Sequence, residues 1–370
     1  MKELIFYNTN VVTHASNANL PGVSEFKKFF GIYPQSSVFI DRSETITIPV
    51  KVRSLYPIPK LRALTNTYED ICNERALELL SRARTMDVPI YVAWSGGIDS
   101  TLILVTLLTH ASDADKKRIT VLLSEESIAE YPAFYQEHIR GSLACESMSL
   151  FPYLLGTRAL IIGGENNDQV FGSDVISKLI NHQGPAIIHE RYRREIFFSF
   201  FNSTLANEAA TGFCLDVIER VAASAPVSLM THFDYLWWLN FAVKWQFVAT
   251  RMLPYVAPSN VANVREGYLG VLFDQFYNTE KFQLWSMNNM DLKIKDSWST
   301  YKWPAKDVIY KFTRDEDYRQ NKQKRGSLGA MLQQQRSYNF IDSSFNFYRT
   351  LDSSEYFEPN NDFLPARHQA

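Results

Sequence analysis

Apolar and polar positions follow different rules in different parts of the chain. In the first sixty or so residues, LIFYNTNVV, SSVFIDR and ETITIPVKVRSLYPIP are short β-branched and aromatic runs broken by Gly and Pro. Such runs predict a small β-rich region. From about 66 to 86, TNTYEDICNERALELLSRART sets apolar residues at helical spacing behind a Thr/Asn cap signal, which predicts a helix. VPIYVAW then reads as a buried strand and STLILVTLLTHA as a helix. RITVLLS is a second strand, followed by the helix-like SIAEYPAFYQEHIRG, and ALIIGG is a third strand that runs into GENNDQVFGSD. Strands alternating with helices predict parallel βαβ units. Beyond residue 185 the pattern turns to long helical stretches, REIFFSFFNSTLANEAATGF, LDVIERVAAS and FDYLWWLNFAVKWQFVATRML. The aromatic residues of the last stretch read as core rather than as a base-stacking platform. The segment from about 337 onward, rich in Ser, Asn, Phe and Tyr, reads as a wrapping arm or tail.

Composition narrows the class. The 370 residues are 46% hydrophobic and 21% charged, enough core material for one large domain or two. A net charge of -2 supplies no overall basic field, which disfavours nucleic acid as a partner. Cys72, Cys145 and Cys214 lie far apart and form no CxxC, so they are expected to be reduced core residues without zinc or an iron–sulfur cluster. The N-terminal run has no signal-peptide layout, and no apolar run is long enough to span a bilayer. A cytoplasmic protein with no membrane contact is the expectation; a homo-oligomer is left open.

The chemistry concentrates where the first strand meets its helix. Ser95-Gly96-Gly97-Ile98-Asp99-Ser100 lies at that junction. Ligands of doubly wound sheets bind at the carboxyl ends of the strands. Glycines there let the backbone approach an anion, and the helix start adds N–H donors and a positive dipole end. Ser95 and Ser100 add hydroxyls. Asp99 would repel phosphate unless a divalent metal bridged the two. The loop has no lysine and is therefore not the GxxxxGK[ST] loop of kinases and GTPases.

SGGIDS resembles the pyrophosphate loop of the N-type ATP pyrophosphatases, which split ATP between the α and β phosphates and transfer AMP to an acceptor oxygen. A second stretch narrows the resemblance. ALIIGGENNDQVFGSD, residues 159 to 174, is similar to the GEGxDExFGGY segment of asparagine synthetases and β-lactam synthetases, matching at Gly164, Glu165, Asp168, Phe171 and Gly172. Gln169 stands where that family usually has Glu, and Gly163 where it often has Ser. A third stretch, KWPAKDVIYKF followed by YRQNKQKRGSLG, resembles the family's K-x-I-L-R helix and its later R-Q-K loop. RMLPYVAPSNV matches a further family segment only at Arg251 and Pro254.

The resemblance covers roughly residues 86 to 330. It implies an α/β fold: a doubly wound parallel sheet of the adenine nucleotide alpha hydrolase (HUP or PP-loop) type, with the small β-rich region before it and a helical C-terminal part. The expected divisions are 1–85, 86–336 and 337–370. It implies ATP and Mg²⁺ as cofactors, with Asp99 and Asp168 as metal ligands. The nucleotide would be held by Ala93, Ser95, Gly96, Gly97, Asp99, Ser100, Leu123, Gly163 and Gly164. Glu165 would act near the acceptor. Lys324 would neutralise charge on the α-phosphate, with Lys306 as the upstream lysine and Lys322 as the rival to Lys324. Before a metal binds, like charges at Asp99 and Asp168 are expected to repel, so that replacing either by Asn leaves the fold intact and raises stability slightly.

Lys2 follows Met1 and the first cysteine is Cys72, so the glutaminase domain of glutamine-dependent asparagine synthetases is not expected. The implied activity is an AMP-forming carbon–nitrogen ligase that adenylates a small-molecule carboxylate and passes it to an amine. Two other classes stay open. One is an enzyme adenylating a nucleobase or carbonyl oxygen; the other is a non-catalytic ATP-binding descendant.

Overall fold

A computed structural model describes residues 2–8, 22–30, 39–172, 174–323, 336–351 and 353–364. The chain divides into two compact units, each drawn from separated stretches. One comprises Met1–Leu61, Gly172–Pro254 and Tyr338–Ala370; the other comprises Arg62–Phe171 and Tyr255–Ser337. The strands are β1 (Leu4–Tyr7), β2 (Ile90–Ala93), β3 (Ile119–Leu123), β4 (Ala144–Ser147), β5 (Leu160–Gly163), β6 (Phe273–Gln275), β7 (Phe340–Asp342) and β8 (Phe347–Tyr348).

In the first unit, β1, β7 and β8 form an antiparallel sheet in the order β1-β7-β8, with Leu4 opposite Asp342 and Phe340 opposite Tyr348. The segment after 337 thus supplies two of its three strands. Among the described residues before Leu61, regular structure is limited to β1, the helix Val23–Phe30 and isolated bridges at Val50 and Val52. The helices Arg194–Leu205, Glu208–Ala223 and His232–Thr250 follow the expected helical stretches. Thr231 and Asp234 close a capping box at the start of the last. Its Trp237, Trp238, Phe241 and Trp245 are buried and pack ring on ring, as core.

The second unit is built on a five-stranded parallel sheet in the order β4-β3-β2-β5-β6. Every residue of β5 and β6 is buried, which explains the continuous apolar run LIIG. The helix Tyr68–Met86 precedes β2 and is capped by Thr67 and Asp70. The helix Ile98–His110 follows β2, and its apolar residues, from Leu102 through Leu107, are buried nearly all round. The stretch after β3 is less regular than its pattern predicts. The helix Glu125–Glu130 stops at Tyr131, because Pro132 has no N–H to continue it, and a wide π turn, Tyr135–Ile139, closes the segment.

Two strands carry no sequence signal. β4 is an exposed edge strand of sequence ACES, and β6 is three residues long. Cys145 lies on β4 and is exposed, unlike the buried Cys72 and Cys214, so the core expectation for the three cysteines holds for only two. Among the described residues no helix is long and apolar enough to cross a membrane.

Candidate functional site

Strand order fixes where a ligand can enter. From β2 the chain moves outward through β3 to β4, then returns to the other side of β2 as β5. The order reverses between β2 and β5, and a crevice opens at the carboxyl ends of strands at such a reversal. SGGIDS follows β2 and GENND follows β5, so the two stretches flank the switch point. A Cβ added at Gly164 would lie 3.4 Å from Ser100 N and 3.6 Å from the Asp99 carbonyl carbon. A side chain at Gly164 would thus touch the loop, and the two motifs meet directly where Asn167 Nδ2 donates to Asp99 Oδ1.

The loop keeps its shape through its own hydroxyls. Ser95 N donates to Ser100 Oγ at 2.9 Å, and the two hydroxyl oxygens lie 3.0 Å apart. Gly97 N donates to Ser95 Oγ at 3.3 Å. Gly97 is the N-cap of the following helix and gives it no side-chain cap. The amide dipole at that helix start is thus not covered by a capping side chain, an arrangement that suits an anion. Gly96 is required on two counts. Its φ is +72°, and a Cβ there would stand 2.4 Å from the carbonyl oxygen of Ser127. Ala93 and Leu123 are the last residues of β2 and β3 below this loop.

At the centre is a lysine that the motifs did not single out. Lys302 Nζ lies 2.7 Å from both carboxylate oxygens of Asp99 and 2.7 Å from Asp168 Oδ1. The Lys302 side chain is 0% exposed, whereas those of Asp99 and Asp168 are 22% and 24% exposed. The ammonium therefore sits beneath the two carboxylates, which retain a face toward solvent. Asn167 Nδ2 donates to Asp99 Oδ1 at 2.6 Å, and the Tyr301 hydroxyl donates to Asp168 Oδ1 at 3.4 Å. Tyr277 holds the backbone here, donating its hydroxyl to Asp99 O at 2.7 Å. Burial pushes the Asp99 carboxyl above the ordinary carboxylate range, the Lys302 ammonium pulls it down, and the charge of Asp168 adds to the rise. Lys302 thus stands as a counter-cation to both carboxylates, while the charge of Asp168 still raises the Asp99 pKa, so that like-charge repulsion persists beside the ion pair.

Lys302 takes this position through its backbone. It has φ +60° and is the N-cap of the helix Trp303–Thr313, whose second residue is Pro304. The left-handed residue turns the chain sharply into the helix. Its N–H donates to Lys293 O at 3.1 Å. One turn on, Lys306 is buried and donates from Nζ to Ser299 O. Burial, with the neighbouring Lys322 charge, lowers its pKa to about 8. Lys322 is ion-paired with Glu130, next to Gly96. Beside that pair, Tyr131 stacks on Tyr318 with ring centres 4.0 Å apart and donates its hydroxyl to Asp315 Oδ2 at 2.9 Å. The stretch after β3 is so tied to the YRQNK stretch. Lys324 lies outside the described residues.

Glu165 is buried at the end of β5, and its N–H donates to Gln275 Oε1 at 3.2 Å. The same oxygen would be 2.1 Å from a Cβ at Gly163. Gly163 thus leaves the space that the Gln275 side chain fills, which is the structural counterpart of a glycine where the resembling family often has serine. A cavity of about 530 Å³ lies in the same unit, between Tyr68, Trp285, Trp303 and Tyr310. Its wall reaches the carboxylates through one relay: the Tyr68 hydroxyl donates to Asn167 Oδ1 at 2.7 Å, and Asn167 donates to Asp99.

Sequence reading missed Lys302, Asn167 and Gln275. Lys302 opens KWPAK, and a lysine directly before a Trp-Pro helix start was the signal to be had. Asn167 adjoins Asp168 within GENND. Gln275 follows no pattern, because β6 itself is too short to read. Among the described residues no three His, Cys, Asp or Glu side chains converge as a metal cluster. Comparisons with protein-family models and with curated proteins give no match.

Proposed function

We propose that this chain is an ATP-dependent ligase of the asparagine synthetase type, which cleaves ATP to AMP and pyrophosphate and joins a carboxylate to an amine. One observation carries the reading: SGGIDS and GENND, distant in sequence, flank the switch point of a parallel sheet, and their aspartates share one cation. In this reading the fold is of the PP-loop type. The loop N–H groups and the hydroxyls of Ser95 and Ser100 hold the polyphosphate.

The carboxylates of Asp99 and Asp168 are hard oxygen groups of the kind that suits Mg²⁺, and Asn167 orients Asp99 through its Nδ2 donor. When bound, Mg²⁺ supplies neutralisation of polyphosphate charge. Lys302 now stands on the inner side of the pair, and it supplies the same sign of charge from the protein.

The chemistry balances as follows. An acceptor carboxylate oxygen attacks the α-phosphorus, and the bond to the β-bridging oxygen breaks. Pyrophosphate leaves with that electron pair. An amine then attacks the acyl carbon, and AMP leaves with the carbon–oxygen pair and the oxygen that came from the acid. Glu165 takes the proton the amine loses, or positions the amine for attack. Lys306 lends positive charge to the developing α-phosphate, and Lys324 is assigned the closest approach to it, with Lys322, paired to Glu130, as its rival.

ATP labelled at the α-phosphate, incubated with Mg²⁺ and pools of carboxylates and amines, tests this reading. Labelled AMP with equimolar pyrophosphate is expected; labelled ADP would overturn it. A second reading, a nucleotide-binding protein without turnover, draws on one observation, that Lys302 already offsets one of the two negative charges of the carboxylate pair. It is distinguished by nucleotide binding without pyrophosphate release across the same pools.

A further inference from the structure

Two carboxylates that face each other at a ligand site need a cation, and here the chain carries its own. The Lys302 ammonium touches three carboxylate oxygens at 2.7 Å and has no solvent-exposed surface. A divalent ion bound by Asp99 and Asp168 would draw in the same oxygens, to about 2.1 Å for Mg²⁺. The ammonium and the ion would then be neighbours of like sign, competing for one pair of carboxylates. A buried ammonium that loses its carboxylates is left uncompensated, which is strongly unfavourable unless another anion receives it. The anion that the neighbouring SGGIDS loop suits is a polyphosphate. Lysine fits such an exchange: a compact charge on a flexible four-carbon stem can change partners without movement of the backbone. The backbone here is fixed by the left-handed turn and by the Lys302 N–H to Lys293 O bond.

We propose that Lys302 is the resident cation of the Asp99–Asp168 pair, and that a divalent metal enters only together with a polyphosphate that takes over the ammonium. The proposal rests on the ligase reading for the identity of the polyphosphate. Metal binding is then ordered: the metal arrives as its nucleotide complex and does not preload the protein. The competent arrangement, with the ammonium withdrawn, is a minor one in the ligand-free chain. A competent fraction of about one in ten or less weakens apparent metal affinity about tenfold or more.

The test is Mn²⁺ binding to the full chain, read as Mn²⁺ retained with the protein in equilibrium dialysis, with and without α,β-methylene ATP on both sides of the membrane. The variants are Lys302→Asn and Lys302→Gly, because both residues accept a φ near +60° and keep the turn. Without nucleotide, each variant is expected to bind Mn²⁺ about tenfold or more tightly than the wild type. Adding the nucleotide should raise wild-type affinity by a similar factor and change the variants little. Equal Mn²⁺ binding by wild type and variants without nucleotide would overturn the proposal, as would absence of Mn²⁺ binding by all of them. Should both variants fail to fold, tight Mn²⁺ binding by the nucleotide-free wild type alone would overturn it. A gain in the variants with no nucleotide effect in any protein would keep Lys302 as resident cation and overturn the nucleotide reading instead.

Discussion

Gln275 lies against the backbone of Gly163, its Oε1 2.1 Å from where a Cβ on that glycine would be. The contact joins β6 to β5 and also holds the first residue of the GENND stretch that can ionise, because the same oxygen accepts the Glu165 N–H. A residue larger than glycine at 163 displaces the carboxamide end of Gln275 and with it the bond to the Glu165 N–H. An unsatisfied buried donor costs roughly 1–3 kcal/mol. Gly163→Ala should lose that much stability to urea, and Gln275→Ala a similar amount. The double variant should lose no more than Gln275→Ala alone, since both changes break one bond. Additive losses would show that the contact does not hold Glu165.

The second prediction concerns the sign of a carboxylate deletion. Asp168→Asn removes one of the two anions that answer the Lys302 ammonium. Breaking a buried ion pair on one side leaves the other charge uncompensated, at roughly 3–5 kcal/mol for full burial. Asp168 keeps 24% of its side chain exposed and Asp99 remains, so a loss of roughly 1–3 kcal/mol is expected. Urea unfolding in the absence of metal measures it. A variant more stable than the wild type would mean that repulsion between the two carboxylates outweighs the bridge that Lys302 makes.

Lys306 sets a pH dependence. Burial and the Lys322 charge lower its pKa from 10.5 to about 8. Between those two values the unfolded chain holds a proton that the folded chain has released. Stability therefore rises with pH across this window, by up to about 1.4 kcal/mol per pH unit from this one group. Below pH 8 the folded chain carries the buried charge and gains nothing. Lys306→Met has no such proton to lose. The difference in urea midpoint between wild type and Lys306→Met should move in favour of the wild type from pH 8 to pH 9.5. A difference that stays flat would mean that Lys306 is solvated like a surface lysine.

The local parts of this arrangement are legible in the sequence. The SGGIDS loop is readable because a buried strand, two glycines and a helix start are all local features. Thr67 and the helix behind it are local as well. The parallel units around β2, β3 and β5 followed from alternating apolar runs. What was not legible depends on contacts distant in sequence. β4 is exposed and polar, so burial leaves no mark on its sequence. β6 is only three residues long, too short for a period to emerge. Lys302 is 203 residues from Asp99, and its role comes from a left-handed turn and complete burial, neither of which composition reveals. Charge counting was incomplete for the same reason: two aspartates at one site imply repulsion, and the lysine that stands between them lies in another motif. Gly163 and Gln275 form a further such pair, in which the absence of a side chain at one position is explained only by the side chain at the other.

The fate of a carboxylate oxygen tests the central claim most directly. A pool of acids labelled with ¹⁸O at the carboxylate is incubated with the full chain, ATP, Mg²⁺ and an amine pool, and the nucleotide products are weighed by mass spectrometry. Adenylation transfers one acid oxygen to the α-phosphate, so AMP carrying a single ¹⁸O is predicted, with pyrophosphate unlabelled. AMP formation should fall to background in Asp99→Asn. Unlabelled AMP, or ADP with the label in inorganic phosphate, would contradict the account.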